Sequence, residues 1–150
     1  MPTPDGKITL LFLCTGNSCR SQMAEAWTRT LKGHLIQPAS AGIEVHGLNP
    51  RAVHVMAEAG VDISQYRSKH LNELQNLSFD YVITLCDNAR ETCPVFPGRA
   101  TFLHVPFDDP PALARSAKSE PDALDHYRRV RDQIRDFVQM LPDHLPRQKG

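Results

Sequence analysis

An α/β fold on a central four-stranded parallel sheet follows from three features of the sequence. Short, almost unbroken apolar runs recur along the chain, segments with helical apolar spacing separate them, and Gly, Pro and Asn punctuate the boundaries. Strands covered on both faces read as continuous apolar runs, whereas a strand with one wet face alternates. Such strands alternating with helices define a parallel sheet with helices on both sides. At 150 residues the chain is expected to form one domain, 1–150, that buries well over half of its unfolded surface.

The first strand is Lys7 to Leu13, with Ile8 and Thr9 supplying β-branched side chains. From Ser21, apolar side chains at Met23, Ala24, Trp27 and Leu31 have the spacing of a helix with one buried face, and Gly33 stops it. Leu35 to Gly42, ending in Ala39-Ser40-Ala41-Gly42, reads as the second strand. Asn49 caps the next helix and Pro50 occupies its first turn, where a missing N–H leaves nothing unsatisfied. Ala52, Val53, Met56 and Ala57 form its face, and Gly60 ends it. Tyr81 to Leu85 is the strongest strand signal, being β-branched and aromatic, and Cys86 follows it. Ala100 to Val105, bounded by Pro97-Gly98 and Pro106, is the fourth strand. From Ala123, the series Leu124, Tyr127, Val130, Ile134, Phe137, Val138 and Leu141 marks a long amphipathic helix ended by Pro142. Arg128, Arg129, Arg131 and Arg135 form its solvated face, and about 143–150 is a loose tail.

Composition narrows the function. Net charge is zero at pH 7, so no basic field draws nucleic acid or an acidic membrane surface. The N-terminal residues lack a basic region followed by a long apolar run, and no stretch approaches a membrane span, so a cytoplasmic protein is expected. Four cysteines in that setting point to metal ligands or to redox and catalytic thiols. Zinc fits poorly, because Cys14-x4-Cys19 and Cys86-x6-Cys93 are wider than paired-ligand spacing; no metal is expected.

The chemistry concentrates where the first strand enters the first helix, at Cys14-Thr15-Gly16-Asn17-Ser18-Cys19-Arg20-Ser21. Backbone N–H groups of such a loop, with a helix N-terminus behind them, cradle a tetrahedral oxyanion, and Arg20 can grip two of its oxygens. The same field favours the thiolate of Cys14, the form that attacks. Ser18 and Ser21 are candidate donors to its sulfur. Parallel sheets bind ligands beyond the C-terminal ends of their strands, where both Cys14 and Cys86 lie. His46 is a candidate for the rim, while Trp27 and Met23 read as core.

Cys14-x5-Arg20-Ser21, with Asp109-Pro110 downstream, resembles the low-molecular-weight protein tyrosine phosphatase fold, a three-layer α/β/α architecture. Cys86 and Cys93 narrow the resemblance to the thioredoxin-coupled arsenate reductases built on that fold. Ser40-Ala41-Gly42-Ile43-Glu44 and Leu85-Cys86-Asp87-Asn88-Ala89-Arg90 extend it over nearly the whole chain. It implies a relay of three thiols. Cys14 attacks arsenate, Asp109 protonates the departing oxygen, Cys86 attacks Cys14 to release arsenite, and Cys93 then takes over the disulfide, which thioredoxin reduces. Glutaredoxin is an alternative reductant, and a monomer without a bound cofactor is expected. Two thiols closing to a disulfide supply the two electrons.

Asp109 is preferred to Asp108 as the acid because Pro110 disfavours helical backbone at the residue before it. If Cys86 to Cys93 were continuous helix, seven residues of about 1.5 Å rise would set their α-carbons roughly 10 Å apart. A disulfide tolerates only about 7 Å. The Asp87 to Thr92 segment is therefore expected to unwind when those two thiols join. Some relatives hold potassium beside the loop with equivalents of Asn17, Glu25 and Ser40, plus a threonine and an aspartate. Arg67 and Lys69 stand at the last two positions here, so potassium is not expected, and Lys69 is a candidate to occupy its place. Cys19 reads as packing, with a Cys14–Cys19 disulfide as the alternative. A phosphatase needs the loop and Asp109 but neither Cys86 nor Cys93; an oxyanion- or redox-sensing module would need no turnover.

Overall fold

The computed structural model describes residues 6–74, 76–86 and 100–146. In chain order the elements are β1 (Ile8–Cys14), α1 (Arg20–Lys32), β2 (Ile36–Gly42), α2 (Pro50–Glu58), a 3₁₀ turn at Leu71–Leu74, β3 (Tyr81–Thr84), β4 (Thr101–His104), α3 (Pro110–Ala114) and α4 (Glu120–Gln139). The four strands form one sheet in the order β2-β1-β3-β4, with every neighbouring pair parallel. From β1 the chain passes to β2 on one side, and β3 lies on the other. The crevice beyond the C-terminal ends of β1 and β3 is thus a topological switch point, the place where open α/β sheets bind ligands. Cys14 is the last residue of β1 and stands opposite Gly42 of β2.

The unbroken apolar run of β1 has the expected cause. Leu10, Leu11, Phe12 and Leu13 are all fully buried. Successive side chains point to opposite faces, so Leu10 and Phe12 join Ile83, Met23, Val55 and Ile134 in one cluster that includes α1, α2 and α4. Leu11 and Leu13 pack with Ala41, Val82, Leu71 and Leu74 on the other face. Trp27 lies in the first cluster and donates from Nε1 to the Arg131 carbonyl at 3.2 Å, tying α1 to α4. Among the described residues no helix is long and apolar enough to cross a membrane.

The ends of α2 are as read: Asn49 accepts from the amides of Arg51 and Ala52, and Gly60 takes φ +83° beyond the helix. Two elements differ. Apolar spacing gives no sign of α3, since five residues are too few to show a period; Pro110 at its first turn sets it instead. Helix α4 begins at Glu120, before the first apolar residue of its face, because Ser119 caps it and accepts from the amide of Asp122 at 3.2 Å. The expected loose tail is held at its start: the Tyr81 hydroxyl donates to the Pro146 carbonyl at 2.6 Å. Arg128, Arg129 and Arg135 of α4 are solvated as expected, whereas Arg131 is largely buried between helices, donating to the Val55 carbonyl at 2.9 Å and pairing with Glu58 of α2.

Candidate active site

The loop between β1 and α1 is shaped from outside by its carbonyls. Thr15 O accepts from the amides of Ile43 and Glu44, each at 3.0 Å, Gly16 O from the amide of His46 at 3.2 Å, and Ser18 O from the amide of Asn49 at 3.0 Å. The Ser68 hydroxyl adds a bond to Gly16 O at 2.9 Å. A trans peptide points its C=O and N–H in opposite directions, so carbonyls tied outward turn the amides toward the loop's interior. Asn17 takes φ 48°, a left-handed conformation that asparagine tolerates better than most residues. Its Oδ1 accepts from the amide of Lys69 at 2.7 Å and from Gln22 Nε2 at 3.0 Å.

Asn17 also reaches the nucleophile through Ser21. Its Nδ2 donates to Ser21 Oγ at 2.8 Å, and Ser21 Oγ lies 3.0 Å from Cys14 Sγ. With the Ser21 oxygen accepting from Asn17, its hydrogen is free to point at the sulfur when Cys14 is a thiolate, which can only accept. Ser21 is therefore the hydroxyl that meets Cys14, while Ser18 lines the cavity above the loop. Cys14 is only 3 % exposed, and both Cys14 and Cys19 are free. Burial, reinforced by the neighbouring Cys14, pushes the Cys19 thiol well above its ordinary pKa, which keeps it protonated and fits the packing role.

Arg20 opens α1 and reaches across the crevice. Its Nη1 donates to the carbonyls of Phe107 at 3.1 Å and Leu85 at 3.4 Å, and its Nη2 lies 3.6 Å from Asp109 Oδ1. Thus Arg20 links the loop to the residue before Cys86 and to the segment carrying Asp109. The two candidate acids separate here. Asp109, extended at φ −91°, ψ 101°, faces Arg20, whereas Asp108 turns away to Arg129 of α4 at 3.0 Å. Cys86 is fully buried two residues beyond the end of β3 and is disulfide-bonded. Cys93 and the Asp87 to Thr92 segment lie outside the described residues.

Beside the loop, buried Glu25 accepts from the Ser40 hydroxyl at 2.6 Å and from Arg29 at 2.7 Å. Lys69 sends its Nζ to within 3.9 Å of Glu25 Oε1 and donates to the Arg67 carbonyl at 3.1 Å. Arg67 does not bring a second charge to this cluster, contrary to the sequence reading. Its guanidinium lies on the surface against Glu73 at 2.7 Å, and only its backbone carbonyl faces inward.

Sequence reasoning does not reach the roles of Gly42, Ser68, Gln22 and the carbonyls of Leu85 and Phe107 in this site. Gly42 belongs to the Ser40–Glu44 stretch, but its role rests on close approach: a Cβ there would stand 2.6 Å from Thr15 O and 2.9 Å from Asn17 N. No local pattern marks Ser68, which the segment alongside the end of β2 delivers through the Gly42 amide and the Lys69 carbonyl. Over the loop opens a cavity of about 880 Å³ between the 43–50 segment and the start of α3. His46 lies on its rim as expected, its imidazole beside Gly16 and its Nε2 2.7 Å from Glu44.

A cysteine-led oxyanion loop at the switch point of a parallel sheet, faced by an Arg–Asp pair, defines a phosphatase-type thiol centre. The chain belongs to the low molecular weight phosphotyrosine protein phosphatase family, whose model matches residues 9–149. Relatives similar over most of the chain include arsenate reductases. One from Bacillus licheniformis is 45 % identical over 137 residues, covering 91 % of this chain and 96 % of the relative. A solved arsenate reductase in its phosphate-binding state superposes with a TM-score of 0.75 at 31 % identity, covering 93 % of this chain and 99 % of the other. A thioredoxin-dependent arsenate reductase from Corynebacterium glutamicum is 25 % identical with a TM-score of 0.61, covering 89 % of this chain and 63 % of the other.

Proposed function

We propose that this protein is an arsenate reductase that passes two electrons to arsenate through Cys14, Cys86 and Cys93, with thioredoxin restoring the thiols. Cys14 attacks arsenic, and the departing oxygen takes the Asp109 proton and leaves as water. Cys86 then attacks the Cys14 sulfur, the sulfur–arsenic electron pair goes to arsenic, and arsenite leaves with a Cys14–Cys86 disulfide behind it. Attack by Cys93 on Cys86 frees Cys14, and thioredoxin reduces the remaining disulfide. The protein works as a cytoplasmic monomer without a resident cofactor.

The observation that carries this reading is the position of a second buried cysteine, Cys86, at the switch point. Strands β1 and β3 are parallel neighbours with Leu13 opposite Thr84, so Cys14 and Cys86 leave the same edge of the sheet, on strands about 4.8 Å apart. A phosphatase has no use for that cysteine. Further support comes from the disulfide at Cys86 beside a free Cys14, and from the thioredoxin dependence of the corynebacterial neighbour. The deciding measurement is arsenite yield with thioredoxin, thioredoxin reductase and NADPH, set against glutaredoxin. Multiple turnovers are expected with thioredoxin, whereas Cys86→Ser loses arsenate turnover but retains phosphate-ester hydrolysis. A wild-type chain that hydrolyses phosphate esters without yielding arsenite would make it a phosphatase.

Two further expectations attach to the reading. Asp109→Asn slows formation of the thiol-arsenate adduct about a hundredfold or more, while Asp108→Asn, which only loses Arg129, stays within about twofold; quenched single-turnover assays separate them. Potassium gives no gain in activity or thermal stability over matched sodium, because the Lys69 ammonium already serves the Glu25 carboxylate. A potassium-specific gain would show that Lys69 leaves room for the ion.

A further inference from the structure

We infer that Arg115 is the residue that captures the oxyanion at the mouth of the cavity, a role that rests on the arsenate reading above. The cavity of about 880 Å³ is far larger than a tetrahedral oxyanion, so the anion must travel through it to reach the loop. Three carboxylates line that path, those of Glu44, Asp108 and Asp109. Each has its own partner: the His46 imidazole for Glu44, Arg129 for Asp108 and Arg20 for Asp109. Arg20 is committed to the floor, 4 % exposed and bound to two backbone carbonyls. Arg115 remains. It lines the same cavity and is exposed, and its guanidinium makes no ion pair or hydrogen bond among the described residues.

Its place in the chain suits the role. Helix α3 starts directly after Asp109 and Arg115 caps its other end, so six residues of helical rise carry it roughly 9 Å from the acid. A guanidinium on a long side chain there can meet the anion outside the loop and follow it inward without competing with Arg20. A charge in a cleft with low-dielectric walls acts on encounter more than on the chemical step. It also discriminates by charge between substrate and product. Arsenate enters as an anion, while arsenous acid is uncharged at neutral pH, so Arg115 attracts the first and does not retain the second.

The test compares Arg115→Ala and Arg115→Lys with the wild-type chain. For arsenate reduction by the thioredoxin system, Arg115→Ala is expected to lower kcat/KM about 3- to 10-fold through KM. It also flattens the fall of kcat/KM with ionic strength, and Arg115→Lys restores most of both. A second assay uses inorganic phosphate to protect Cys14 from iodoacetamide; its half-protecting concentration is expected to rise by a similar factor in Arg115→Ala. This arm needs no turnover, so a chain that fails to reduce arsenate but shows the phosphate shift separates the capture role from the reductase reading. Unchanged phosphate protection and an unchanged salt slope would overturn the role of Arg115, as would a fall confined to kcat.

Discussion

Arg20→Lys is expected to lower kcat/KM for arsenate by about 10²- to 10³-fold, the scale of losing a preorganised oxyanion donor. The guanidinium serves the loop, the Leu85 and Phe107 carbonyls and Asp109 at once, and its planar fork lets it do so. An ammonium offers one point of charge. It can hold an oxyanion oxygen or remain with the carbonyls, so the bidentate grip and the placement of Asp109 fail together. Steady-state kinetics and thermal melting, run on the same preparation, check this: activity should collapse in a chain that still unfolds cooperatively. Activity within tenfold of wild type would mean that the loop amides alone hold the anion.

Gly42→Ala is expected to reduce single-turnover arsenate reduction by about 10²-fold, the penalty of displacing reacting groups by about an ångström. Stability should fall by about 1–3 kcal/mol, as for an overpacked interior. The added methyl would stand 2.6 Å from Thr15 O, 2.9 Å from Asn17 N and 3.0 Å from Cys14 O. All three are backbone atoms of the oxyanion loop, so no side-chain rotation relieves the contact and the loop itself must shift. At Gly16 the atoms nearest to such a methyl belong to the imidazole of His46, whose side chain is 51 % exposed and can turn aside. Gly16→Ala should therefore lose less stability than Gly42→Ala in urea denaturation, and equal losses would show that the loop tolerates no change at either end.

Much of the fold was legible because its signals are local. The run Leu10 to Leu13 is apolar at every position because both faces of β1 are covered, and Asn49-Pro50 starts α2 by contacts within three residues of the cap. The loop was legible for the same reason, since Cys14 to Ser21 is contiguous and its function depends on its own backbone. Helix α3 escaped because five residues carry no period, and the hold of Tyr81 on Pro146 escaped because its partners lie 65 residues apart in the chain.

By itself, then, the sequence determined the parallel α/β architecture, the oxyanion loop and the thiols that border it, all of which depend on spacing along the chain. Only the tertiary structure decided which side chains turn toward that loop. Asp108 and Asp109 are adjacent and chemically identical, and what separates them is Arg129, supplied by α4. Arg67 and Lys69 looked like two charges for one cluster until Glu73 drew Arg67 to the surface. A side chain's direction is set by partners distant in sequence, and the apolar pattern that builds the fold does not record them.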